Sequence, residues 1–307
     1  MALARIAVVG GFHMTLVFWA PRHPEPGETV YGTAFSMFPG GKGFFQSLAA
    51  SRAEGKVVAI GRIGQDDFGD LFLRKLVSEG IETRWLVRDP ANGTAVFSPL
   101  VNADGTGGSL CVPRANAALN PDDIARATQV LANSDVVLLQ MEVPLEVSQT
   151  AAALGRSGGA KVIFNVAPYV DGAALDGVLA LVDFLVVSES VVARLVGAAQ
   201  PPVESVAHML RARGARRVIV TMGAKGCLLV DREGARSFRA FAVDAVDPTG
   251  AGDAFCGALA VAIAERQPSA RALRFANAAG ALACTVPGAE TALPTRYAIE
   301  QLMRRQG

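Results

Sequence analysis

The sequence predicts an α/β protein whose mostly parallel central sheet is covered by helices on both faces. Apolar runs recur along the chain with helix-like segments between them, several runs are apolar at nearly every position, and no internal repeat or low-complexity linker interrupts the pattern. A strand exposed on one face would alternate, so near-continuous runs mark strands buried on both. The first spans 5–9, where Ile6, Ala7, Val8 and Val9 follow one another. Further strands are predicted at 56–60, 135–140, 161–165, 184–187, 217–221 and 227–230, and helices at 43–53, 70–79, 121–132, 145–155, 203–213 and 252–265. Two stretches break the alternation, 16–38 and 94–112, where Pro, Gly, Thr and aromatic residues suggest short antiparallel strands. They fit a small lid sheet or edge strands of the main sheet.

Half of the 307 residues are apolar, enough for a substantial core in one large α/β domain or two smaller ones. The 29 Lys and Arg nearly balance 28 Asp and Glu, and no basic stretch is interleaved with aromatics, which argues against a nucleic-acid partner. Residues 1–11 hold a short apolar stretch with one Arg, too brief for a signal peptide, and no apolar run is long enough for a membrane span. The expectation is a cytoplasmic protein with no membrane partner. Cys111, Cys227, Cys256 and Cys284 form no CxxC pair and read as buried thiols in a reducing compartment. His13, His23 and His208 lack metal-ligand spacing, so a structural zinc site is not expected.

The chemistry is concentrated in the run Val246-Asp247-Pro248-Thr249-Gly250-Ala251-Gly252-Asp253-Ala254-Phe255-Cys256-Gly257-Ala258-Leu259. Gly250, Ala251 and Gly252 have little or no side chain, so their N–H groups can approach an anion at the positive end of the following helix. Asp253 stands at the helix start, placed to accept the proton of a substrate hydroxyl while the turn stabilises charge on a transferred phosphoryl group. A carboxylate open to a cleft is expected there. The plainer reading is a tight turn followed by a helix cap. A second feature, Pro39-Gly40-Gly41-Lys42-Gly43, puts a Gly-rich turn and a cation at a helix start. It suits a polyol or phosphate, and equally a plain strand-to-helix turn with an exposed Lys. It lacks the spacing of a P-loop, and Gly10-Gly11 followed by Phe12, His13 and Met14 is no dinucleotide fingerprint.

These residues resemble the two signatures of the ribokinase-like (PfkB) carbohydrate kinases. Gly40 to Gly43 and the stretch Gly61-Arg62-Ile63-Gly64-Gln65-Asp66-Asp67-Phe68-Gly69 match the N-terminal one, and the run around Asp253 satisfies the C-terminal one. The likeness continues through Pro26 to Thr29, Ala115 to Leu119, Gln140 to Glu146, Asn165 to Pro168 and Thr221 to Gly226, so it covers essentially the whole chain and looks nearest to bacterial ribokinases. It implies one domain over 1–307, a three-layer sandwich with a lid from about 16–38 and 94–112 that often makes a homodimer contact. It implies Asp253 as catalytic base, Gly250 to Gly252 as anion hole, and Gly41, Lys42 and Glu142 at the sugar. It implies ATP near Thr221, Gly223, Gly226 and Asn277, although Asn277 also reads as a surface helix residue. Asp247 and the carbonyls of Thr249, Ala283, Val286 and Gly288 match the family's potassium loop, with Ala292 in place of a ligand serine; Asp247 also suits a simple turn cap.

The sugar end departs from the family. Its ribokinases carry Asn and Asp where this chain has His13 and Thr15, and Asn where it has Phe45. Three polar contacts are changed, at about 1–3 kcal/mol each, so ribose is a poor expectation. Phe12, Met14, Trp19, Phe38, Phe44 and Phe45 suggest a pocket for a flat or apolar group, as in a nucleoside or modified sugar, or else core and contact residues. Ser188 and Val191 stand where the family has an Asn-x-x-Glu motif linked to magnesium, which leaves Mg²⁺ mainly to ATP phosphates and water. The expected activity is ATP-dependent phosphorylation of a sugar-like hydroxyl. The alternatives are a nucleoside kinase and a kinase-derived binding or regulatory protein.

Overall fold

A computed structural model describes residues 4–169, 175–196 and 202–306. Its strands are β1 (Arg5–Val9), β2 (His13–Ala20), β3 (Ala34–Gly40), β4 (Lys56–Gly64), β5 (Glu82–Asp89), β6 (Ala95–Asn102), β7 (Gly107–Val112), β8 (Val136–Leu139), β9 (Lys161–Asn165), β10 (Phe184–Ser188), β11 (Val218–Thr221), β12 (Cys227–Asp231) and β13 (Gly234–Phe238). Nine of them make the central sheet, in the order β13-β12-β11-β10-β9-β8-β1-β4-β5. All its pairings from β11 to β5 are parallel; β12 and β13 add an antiparallel edge.

Helices cover both faces, and β1 shows why. Ile6 and Val8 point into one core, with the helices Lys42–Arg52, Ala251–Ala264 and Ser269–Ala283; Ala7 and Val9 point into the other, with Leu145–Ser157 and Val203–Ala212. That alternation makes a three-layer sandwich and explains why the strands are apolar throughout.

The remaining strands form a separate sheet in the order β3-β2-β6-β7, which excludes the edge-strand reading of 16–38 and 94–112. The lid begins earlier than expected. β2 starts at His13, with only three residues between it and β1, so His13 and Thr15 lie on the lid sheet itself. β5 and β13 were not expected, nor were the helices Ser269–Ala283 and Arg296–Arg305. The predicted helix at 121–132 divides at Ala127 into Pro121–Arg126 and Thr128–Ala132. Two cysteines also differ from expectation: Cys111 is exposed on β7, the outer lid strand, and Cys284 is half-buried just after a helix end. No described helix is long and apolar enough to cross a membrane.

Strand order changes direction between β1 and β8, since the chain runs from β1 outward to β5 and then returns to β8 on the other side. The carboxyl ends of strands at such a reversal leave a crevice between diverging loops. Gly10 and Gly11 follow β1 there, and Gln140 and Glu142 follow β8.

Candidate active site

At this crevice two helices meet. The helix Lys42–Arg52 starts from Gly41, whose φ of 103° and close approach to Gly11 require glycine: a Cβ there would lie 2.5 Å from the Gly11 carbonyl oxygen. That tight turn delivers Lys42 into the crevice. Its backbone N–H donates to Glu142 Oε2 at 2.6 Å, and its Nζ lies 3.6 Å from Asp253 Oδ1. Glu142 Oε1 is in turn 3.6 Å from His13 Nε2, and His13 Nδ1 is 3.4 Å from Thr15 Oγ1. The His13 ring also packs on Phe97 of β6, with centroids 5.2 Å apart. Of the residues expected at the sugar, His13, Thr15, Lys42 and Glu142 thus form one connected group, from the lid through Glu142 to Lys42 and Asp253.

Phe45 stands apart from this group. It is 9% exposed within the main core, with its ring 5.5 Å from that of Phe44. Phe12, Met14 and Phe44 are fully buried, and the rings of Phe12 and Phe44 meet Phe72 edge to face. The aromatic shelf expected for a flat substrate is therefore core packing at these three positions, because apolar side chains at the sheet-helix junction pack inward. Trp19 is half-buried and Phe38 exposed on the lid.

The helix Ala251–Ala264 opens from Gly250, held at φ 83° with Ala289 against it. The first N–H groups of a helix have no intrahelical acceptor. Among the described residues the amides of Gly250, Gly252 and Asp253 make no hydrogen bond, whereas Ala251 donates to the Pro248 carbonyl at 3.1 Å. The anion cradle expected from Gly250, Ala251 and Gly252 thus has the Ala251 amide already engaged, because Pro248 to Ala251 closes a turn. The free amides and the positive helix end remain suited to a phosphate.

Asp253 is more enclosed than a carboxylate open to a cleft. It is 6% exposed, and Oδ1 accepts from Gln46 Nε2 at 2.8 Å besides facing Lys42. Oδ2 has no hydrogen-bond partner among the described residues. Burial raises the Asp253 pKa above the ordinary carboxylate range, against the pull of Lys42 and the Gln46 hydrogen bond; Glu142 adds to the rise. Attraction to Asp253 in turn raises the Lys42 pKa, keeping it a cation. The pair is a loose ion contact beside an unpartnered carboxylate oxygen, and such an oxygen can receive a proton.

Against the same helix start lies a cleft of about 500 Å³, lined by Thr221, Gly223, Gly226, Ala251, Gly252, Asn277 and the loop around Phe241 and Val243. A side chain at Gly252 would enter open space, which fits a wall meant for close approach. Asn277 is buried, not on the surface, and its Nδ2 donates to the carbonyls of Phe238 and Arg239 at 3.3 and 3.2 Å. Ser188 pairs with Thr221 across β10 and β11; its Oγ accepts from Val191 N–H at 3.3 Å and meets Ser190 Oγ at 2.8 Å, capping the helix Glu189–Val196. Glu189 points away to Lys225, 3.0 Å distant.

Asp247 ties two loops together: Oδ1 accepts from Thr249 N–H at 2.9 Å and Oδ2 from Gly288 N–H at 3.0 Å. The Gly288 bond foremost holds its pKa below the ordinary value. Asp247 therefore serves as the turn cap, whatever else it holds. Ala283 ends the helix Ser269–Ala283, Val286 is exposed, and the Gly288 carbonyl accepts from Thr291 Oγ1 at 3.2 Å.

Sequence reasoning gave no role to a buried amide chain behind the acid. Gln140 Nε2 donates to Gln46 Oε1 at 2.8 Å, and Gln46 Nε2 also donates to Asn165 Oδ1 at 3.1 Å. Gln140 directly follows β8 and Asn165 ends β9, so amides at the carboxyl ends of adjacent apolar strands were the available signal.

The model of the pfkB family carbohydrate kinases matches residues 3–296. A deoxyribokinase of Salmonella typhi is 34% identical over 297 residues, covering 94% of this chain and 95% of the relative. The structure is similar to that of a ribokinase from Thermotoga maritima, with a TM-score of 0.89, 31% identity and 98% and 99% of the two chains covered. It is also similar to an Arabidopsis thaliana ribokinase complexed with ribose and ATP, with a TM-score of 0.90, 26% identity and the same coverage.

Proposed function

This chain belongs to the pfkB family of carbohydrate kinases, and from that membership we propose that it transfers phosphate from ATP to a hydroxyl of a sugar other than ribose, with Asp253 as the base. One observation carries the proposal: a single helix start has free amides at Gly250, Gly252 and Asp253, a cleft against its Gly252, and, outside the lining of that cleft, a buried carboxylate with an unpartnered oxygen. A phosphoryl donor in the cleft and a hydroxyl acceptor at the carboxylate would meet at that helix end. Lys42 and the amides of Gly250 and Gly252 offset negative charge developing on the transferred group, while Asp253 removes the hydroxyl proton.

The cleft fits a nucleotide. Its small residues at Gly223, Gly226 and Gly252 allow close approach of a base or phosphate, and the similar Arabidopsis ribokinase is complexed with ATP. Mg²⁺, when bound, would neutralise phosphate charge, held mainly by the nucleotide and water because Ser188 is engaged in helix capping. A monovalent cation at the Asp247 loop and a homodimer through the lid belong to the same proposal. The exposed Phe35, Met37 and Leu110 on β3 and β7 supply an apolar surface for the latter, to be checked by sedimentation.

For the acceptor, His13 and Thr15 replace two hydroxyl-gripping side chains, and His13 is already directed at Glu142. A sugar with fewer hydroxyls than ribose loses least in such a site, which accords with the likeness to a deoxyribokinase. A nucleoside is less favoured because Phe12, Met14 and Phe44 are core residues. The test is ADP release and product mass with ATP, Mg²⁺ and a panel of ribose, 2-deoxyribose, hexoses and nucleosides. The proposal expects transfer to a sugar at a higher kcat/KM than to ribose; ligand binding without transfer would support a binding protein, and transfer to nucleosides alone would overturn the acceptor class.

A further inference from the structure

Asp253 is not held by Lys42 alone. Lys42 and Gln46 are four residues apart on one helix and so project from the same face, and both reach the same oxygen of the acid, Oδ1. The Lys42 contact is 3.6 Å, too long for a good hydrogen bond, whereas Gln46 Nε2 donates at 2.8 Å. Gln46 is itself completely buried and fully used, with its second N–H on Asn165 Oδ1 and its Oε1 accepting from Gln140 Nε2. The far ends are rooted in the sheet. Asn165 Nδ2 donates to the Val186 carbonyl of the neighbouring strand, and Gln140 follows β8 directly.

The direction of every bond in this chain is set by the carboxylate. An ionised acid only accepts, so Gln46 must offer Nε2; its Oε1 then needs a donor, so Gln140 must offer Nε2 as well. Gln140 Oε1 is thereby left buried with no partner. Turning the Gln140 amide over would place two oxygens face to face, so the unsatisfied atom is the consequence of an orientation imposed from Asp253.

We propose that Gln46 is a positioning residue for the base, its amide pinning Oδ1 of Asp253 so that Oδ2 is the oxygen presented to the acceptor hydroxyl. The inference rests on Asp253 being the base. In the transfer the acceptor oxygen forms a bond to the γ-phosphorus, its O–H proton passes to Oδ2, and the bond from the γ-phosphorus to the bridging oxygen breaks, leaving its electron pair on ADP. Without the Gln46 bond the carboxylate can rotate toward Lys42 Nζ, and Oδ2 is no longer kept free. The same bond favours the ionised acid. The other groups bearing on Asp253 are Lys42, Glu142 across the crevice and the Cys256 thiol on its own helix, with Asn165 and Gln140 neutral.

The test uses Gln46→Met, which keeps volume and removes both donors. We expect kcat with ATP and the best sugar to fall by about 10-fold to 100-fold with the KM for ATP within about 2-fold, as for a misplaced reacting group. The acidic limb of kcat/KM should move to higher pH, because a bond that favours the carboxylate has been lost. Gln140→Met, which leaves Gln46 in place but releases its orientation, should show both effects in smaller degree and keeps the inference testable if Gln46→Met does not fold. Asp253→Asn separates the two levels. If it retains transfer, the base assignment itself is wrong; if it is inactive while folded Gln46→Met or Gln140→Met keeps native kcat and an unmoved acidic limb, the positioning role is overturned. A lowered melting temperature with an unmoved limb counts against it equally.

Discussion

Replacing Lys42 by Met removes the one cation facing Asp253 among the described residues while preserving the length and packing of the side chain. At 3.6 Å, two unit charges attract by roughly 4–5 kcal/mol at an effective dielectric near 20. Lys42 is a quarter exposed and Asp253 about a tenth, so water screens only part of this. That attraction favours the ionised base before transfer and so sets its pKa; the fall in kcat comes from losing the charge that faces the transferred phosphoryl group, about 100-fold to 1000-fold for one such donor. The pH dependence has a definite sign. Asp253 works as a carboxylate, its pKa is raised by burial and lowered by Lys42, and losing Lys42 leaves burial less opposed. The acidic limb of kcat therefore moves to higher pH, and activity at neutral pH falls further than at pH 9. Coupled measurement of ADP release from pH 5 to 9 at saturating ATP reads both effects. Folded Lys42→Met with kcat within 5-fold of native and an unchanged limb would show that the ion pair has no part in turnover.

Other outcomes follow from the same geometry. Gly43→Ala places a Cβ 2.7 Å from backbone atoms of Gly10 and Gly11, neither of which can give way cheaply, so it should destabilise the fold by about 1–3 kcal/mol in urea unfolding and lower kcat by displacing Lys42. Asn277→Leu breaks the bonds to the Phe238 and Arg239 carbonyls at the cleft wall and should raise the KM for ATP by about 10-fold with kcat largely kept. Asp247→Ala frees the Thr249 and Gly288 amides together; kcat should fall about 10-fold, and comparison of potassium with sodium buffers shows whether a cation response is lost with it.

The strands of the central sheet were legible because burial on both faces leaves an almost unbroken apolar run, as in Val136–Leu139 and Lys161–Asn165. β5 escaped because Glu82–Asp89 mixes charges with Trp85, Leu86 and Val87 at a half-covered sheet edge. The helix Ser269–Ala283 is Ala-rich and buried along most of its length, so it shows neither a polar face nor an acidic first turn. For the site, chemistry confined to a short segment was readable: Gly250, Gly252, Asp253 and Lys42 announce themselves by small size and charge. What was not readable depends on register between distant segments. His13 meets Glu142 only because β2 begins immediately after β1, and Gln46 reaches Asp253 across 207 positions of sequence. The enclosure of Asp253 has the same origin, since its walls come from Gln46 and Asn165 as well as from its own helix.

Asp253→Asn provides the sharpest measurement, because it keeps the shape and the Gln46 contact region while removing the proton acceptor. Nucleotide affinity, followed by calorimetry with a non-hydrolysable ATP analogue, should stay within about 3-fold of native, whereas phosphoryl transfer to the preferred sugar should fall by at least about 1000-fold. Transfer persisting near the native rate in that variant would contradict the assignment of the base and, with it, the reading of this crevice.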